Sequence, residues 1–61
     1  MVAPKVLADL SKNRNWEIRR WVAAQSNCPA KVLAELARDE EYEVRKIVAM
    51  NRHCPAEVLG E

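Results

Sequence analysis

Cys28-Pro29-Ala30-Lys31-Val32-Leu33 returns 26 residues later as Cys54-Pro55-Ala56-Glu57-Val58-Leu59. The same offset carries Lys5-Val6-Leu7-Ala8 onto Lys31-Val32-Leu33-Ala34. Glu17-Ile18-Arg19-Arg20 likewise maps onto Glu43-Val44-Arg45-Lys46, and Val22-Ala23 onto Val48-Ala49. Laid over 27–61 without a gap, residues 1–35 show 15 identities. A fixed period in the twenties marks a stack of units, each burying its apolar face against the next. The repeat defines units 2–27 and 28–53 and the start of a third at 54–61, all within a single domain 1–61.

The pattern inside each unit is helical. Val6, Leu7 and Leu10 form one apolar stripe, repeated by Val32, Leu33 and Leu36. Ile18, Trp21, Val22 and Gln25 follow i, i+3, i+4, i+7 spacing, repeated by Val44, Ile47, Val48 and Asn51. Both are faces of short amphipathic helices. Helices are expected near 3–12, 15–25, 29–38, 41–50 and 55–60. Pro29 and Pro55 suit a first helical turn, where a missing N–H costs nothing. That places Cys28 and Cys54 at the N-caps. Asn13-Arg14-Asn15 and Asp39-Glu40-Glu41 supply the polar turns, and acidic groups there favour the following helix N-terminus. No alternating strand pattern occurs.

Size and composition bound the function. A chain of 61 residues makes one small domain, which buries only about 60% of the surface its unfolded form exposes. With 49% hydrophobic and 31% charged residues it reads as a folded chain, not a disordered one. A net charge of +1 gives no global pull toward nucleic acid or anionic membrane. The longest apolar runs, such as Trp21–Ala24 and Ile47–Met50, are four residues, far short of a membrane span or signal-peptide core. A cytoplasmic origin is the default expectation.

The stretch Asn27 to Ala37, followed by Asp39 to Arg45 and Val48-Ala49, resembles the leucine-rich repeat variant and the wider HEAT-like helical repeats. The resemblance covers essentially the whole chain, with Val2-Ala3-Pro4 standing where later units have Cys-Pro-Ala. That difference fits an N-terminal capping unit. The resemblance implies an all-α, right-handed superhelix, or solenoid, of about five short helices. One helix of each pair is sometimes tightened to 3₁₀ in such proteins. It also implies a module that binds other macromolecules.

Candidate site residues follow. Cys28, Cys54 and His53 raise a metal reading. Without a Cys-x-x-Cys pair, three ligands from one short chain make a poor zinc set. Related repeats often carry Thr at the cysteine positions, so small buried N-caps are the expected role, with no metal or cofactor. Arg19 and Arg45 each lie six residues after a turn residue, Asn13 or Asp39. In HEAT-like repeats this spacing carries an Asp–Arg ladder between neighbouring units. Asp39 can accept a guanidinium in bidentate fashion, whereas Asn13 can do so only weakly. The competing reading is a basic column, Arg19-Arg20 above Arg45-Lys46, for a phosphate backbone. Glu17, Glu40, Glu41 and Glu43 dilute its field.

Among the aromatics, Trp21 lies on the apolar stripe and is expected in the core. Trp16 and Tyr42 begin their helices and, with Arg20 and Lys46, are candidates for partner contact. One His, two Ser and one Gly provide neither a nucleophile set nor a phosphate loop. The chain therefore reads as a non-enzymatic protein–protein interaction or assembly module. Because the third unit stops at Glu61, Val44, Ile47 and Val48, with Val58 and Leu59, are expected to leave an apolar remainder for self-association.

Overall fold

The computed structural model describes residues 2–51. Those residues form four helices and no strand: α1 (Pro4–Leu10), α2 (Trp16–Ala23), α3 (Ala30–Leu36) and α4 (Tyr42–Met50). All four are α-helices. Each falls inside its expected span, shorter by one or two residues at most ends. The helix expected over 55–60 lies outside the described residues.

Helices of seven to nine residues are too short to persist alone in water, so packing holds them. α2 packs against α1, α3 and α4, and α4 packs against α2 and α3. The core is Leu7, Val22, Ala23, Cys28, Val32, Leu33, Leu36, Val44 and Val48. Val2, Ala8, Leu10, Trp16, Ala37 and Ile47 pack around it.

Local chemistry starts and stops the helices. The Asn15 side chain caps α2 by accepting from the Glu17 amide at 2.9 Å. α1 has Ala3 at its N-cap and Pro4 at its first position. In α3 the proline sits one step earlier: Pro29 is the N-cap, with ψ 146° and its carbonyl accepting from Leu33. Ser11 ends α1 and is nearly buried; its hydroxyl donates to the Ala8 carbonyl at 2.6 Å.

Three expectations are corrected by this packing. Cys28 is not the N-cap; it lies just outside the helix, because Pro29 takes the extended backbone that starts α3. Trp21 is not core: it is 43% exposed, although Ile47 at the equivalent position packs against the core. Val44 and Val48 are not an exposed remainder but sit at 0% and 1% exposure, covered by α2 and α3. Val58 and Leu59 lie outside the described residues.

Candidate functional site: an arginine ladder and an open helix face

The turns before α2 and α4 are built alike. The Asn13 side-chain oxygen accepts from the Asn15 amide at 2.8 Å, and Asp39 Oδ1 accepts from the Glu41 amide at 2.9 Å. These short-range bonds tighten each turn and turn its carbonyls toward the following helix. An arginine one helical turn on then closes over those carbonyls. Arg19 Nη1 donates to the Asn13 and Arg14 carbonyls at 2.7 and 3.0 Å. Arg45 Nη1 donates to the Asp39 carbonyl at 2.6 Å.

The remaining donors differ between the two arginines. Arg19 grips Asp39 with two N–H groups on one edge of its guanidinium, Nε to Oδ2 at 2.6 Å and Nη2 to Oδ1 at 3.1 Å. The pair is largely shielded, its side chains 13% and 8% exposed. It joins the first repeat to the second and helps hold the turn of one against the helix of the other. The carboxylate hydrogen bond holds Arg19 above its ordinary pKa. Burial alone would push Asp39 up, but the hydrogen bonds from Arg19 and the Glu41 amide, with the charges of Arg19 and Arg45, bring it below the usual carboxylate value. Arg45 is exposed. Besides the Asp39 carbonyl it lies over the Tyr42 ring, 6.0 Å from the centroid, and no carboxylate pairs with it among the described residues.

Thus Asn13, Arg19, Asp39 and Arg45 lie in one strip along the turns. The basic column is interrupted: Arg19 is committed to Asp39, while Arg20 and Lys46 stand exposed. Trp16 is half-buried against the core, and Tyr42, its equivalent, is 64% exposed. Met50 at 70% and Val6 at 44% are also open.

Two further ties had no strong signal in the sequence. Asn51 Nδ2 donates to the Ala23 and Gln25 carbonyls at 2.8 and 3.0 Å, closing the end of α4 onto the end of α2. Asn27 Nδ2 donates to the Val2 carbonyl at 2.6 Å. The hint for Asn51 was a polar residue ending an apolar stripe. Its equivalent, Gln25, instead bonds back onto the end of α2, to the Trp21 carbonyl at 3.0 Å.

Cys28 is buried with a free thiol, and burial pushes its pKa up to about 11. A thiol so placed is a small apolar group rather than a nucleophile or ready metal ligand. Cys54 and His53, the other residues of the metal reading, lie outside the described residues. Among the described residues no helix is long and apolar enough to cross a membrane.

Comparison with known proteins places this geometry. A family model described as leucine rich repeat variant matches residues 16–41, a segment running from α2 through α3 into the Asp39 turn. The matched segment is similar to that repeat family, which generally implies a non-catalytic, protein-interaction repeat module. No curated protein and no solved structure matches the chain.

Proposed function

We propose that this chain is a non-catalytic protein–protein interaction or assembly module, built as a right-handed solenoid of the units 2–27, 28–53 and a third begun at 54–61. The repeat-family match at 16–41 supports a binding role. The observation that carries the reading is the number of large apolar side chains left open on so small a molecule: Val6, Trp21, Tyr42 and Met50, each at least 43% exposed. Aromatic anchors beside arginine are the residue types on which interface energy concentrates. Trp16, Arg20 and Lys46 are further candidates for partner contact.

The test is affinity capture from the native host with the unmodified chain and with Trp21→Ala and Tyr42→Ala. A discrete protein partner lost with either variant is the expected result. Capture that ignores both substitutions would overturn the reading. A salt titration against generic duplex DNA separates it from phosphate binding through Arg19, Arg20, Arg45 and Lys46. Such binding would weaken steeply with salt; an interaction module shows none. Arg19 is already tied to Asp39, which leaves that column short of one of its four charges.

A further inference from the structure

The outward side of α2 and α4 carries its charges in a fixed order. Arg19 turns toward the second repeat, where it holds Asp39. At about 100° per residue, Glu17 lies on the opposite side of α2 from Arg19, and Arg20 lies between them. The repeat puts Glu43 and Lys46 at the same positions on α4, so Glu43 is on the edge facing α2. All four side chains are exposed, and none is in an ion pair among the described residues. Across the two helices the order is therefore acid, base, acid, base: Glu17, Arg20, Glu43, Lys46.

α2 and α4 run in the same direction and in register. Arg19 near the start of α2 meets Asp39 just before α4, and Asn51 just after α4 meets the Ala23 and Gln25 carbonyls at the end of α2. The side they share is not an end of the stack. Glu17, Arg20 and Ala24 stay exposed although both α3 and α4 pack against α2, so stacking one unit on the next leaves it open. Apolar groups lie among the charges. Tyr42 and Met50, 64% and 70% exposed, stand one helical turn to either side of Lys46.

Two acids against two bases give this surface no net pull toward an acidic or a basic partner. It does fit itself. A two-fold axis running along the helices reverses the order across them and keeps their direction, as an isologous contact allows. Acid, base, acid, base then lies over base, acid, base, acid. Glu17 meets Lys46 of the second copy, Arg20 meets Glu43 of the second copy, and symmetry makes each contact twice. An axis across the helices would lay like charges over like.

We infer that this chain pairs with a second copy of itself through the outward side of α2 and α4, the two copies related by a two-fold axis parallel to those helices. The inference rests on the interaction reading and deepens it by naming a partner. Exposed ion pairs are individually weak, so they set the arrangement, the covering of Tyr42 and Met50 adds to its strength, and salt loosens it.

The experiment exchanges charges between copies. Arg20→Glu and Glu43→Arg should each weaken self-association at least about tenfold in sedimentation up to about 1 mM, since each sets like charges together twice. Mixed in equal amounts, the two variants should associate as tightly as the unmodified chain, because each supplies the sign that the other lacks. Far-UV circular dichroism confirms that each variant is helical. Glu17→Lys and Lys46→Glu form a second pair with the same logic, to be used if either of the first does not fold. An unmodified chain that is monomeric at every concentration, or helical variants that stay apart when mixed, would overturn the inference. No substitution here alters Trp21 or Tyr42, so capture of a different protein through those residues stands or falls separately.

Discussion

A single carboxylate carries much of the join between repeats. The Asp39 carboxylate receives two N–H groups of Arg19 and the Glu41 amide, while its carbonyl receives Arg45. Removing one partner of a well-shielded pair costs about 3 kcal/mol, and a domain of this size has only a few kcal/mol in all. Asp39→Ala should therefore leave the chain largely unfolded by circular dichroism at 37 °C, whereas Arg20→Ala should shift the melting temperature little. The pH dependence has a definite sign. Asp39 titrates below its ordinary value when folded, so the stability it provides is full above about pH 4. That stability is lost as pH falls through the folded value. Asp39→Asn should melt lower than the unmodified chain at pH 7, with the difference narrowing in acid. Cys28 runs the other way. Its pKa is raised to about 11, so its contribution is intact below the ordinary thiol value and is lost as pH rises toward 11. In a Cys54→Ser variant, labelling of Cys28 by a disulfide reagent at pH 8 should be slow in the native chain and rapid in denaturant.

At the scale of the helix, short elements make each cap count. Asn15 is the one N-cap residue of the four whose side chain bonds a helix amide. Asn15→Ala should cost about 1 kcal/mol, or roughly 4–8 °C in melting temperature for so small a domain, measurable by thermal circular dichroism. The helices themselves were legible because Leu7, Val22, Leu33 and Val48 recur at helical spacing and all four prove buried. Spacing tells which residues share a face; it does not tell which faces a neighbour covers. Hence Trp21, on the same stripe as Val22, is half open, and Val44 is sealed where an exposed remainder was expected. The shift at Cys28 has a narrower cause. Proline tolerates both the N-cap and the position after it, so Pro29 alone cannot fix the boundary. Of the site, the six-residue spacing set Arg45 with Asp39 and Arg19 with Asn13, and those pairs meet only through backbone carbonyls; the Asp39 carboxylate goes instead to Arg19 of the other unit. The difference between Arg19 and Arg45 was not legible, since it depends on packing rather than on residue type.

For the molecule as a whole, identical residues at equivalent positions have different surroundings. Ala23 is sealed between helices and Ala49 is open, so one substitution made at both sites measures the asymmetry. Ala23→Leu should destabilise by about 1–3 kcal/mol through overpacking. Ala49→Leu should leave the midpoint of urea unfolding nearly unchanged. Equal effects at the two sites would mean that the second repeat is covered as fully as the first.

Four long-range side-chain ties among the described residues have nearly the same reach along the chain. Arg19 meets Asp39 across 20 residues, Asn27 meets Val2 across 25, and Asn51 meets Gln25 and Ala23 across 26 and 28. The entropic cost of closing a loop grows only slowly with its length, and here every loop is about one repeat long. Folding thus never has to search for a distant segment: each helix pair finds its place on the one beside it. Topologies with such modest sequence separation fold on microsecond-to-millisecond timescales. The same geometry lets the molecule open from an end while the rest stays closed, and that partial opening would be read as graded hydrogen exchange along the chain.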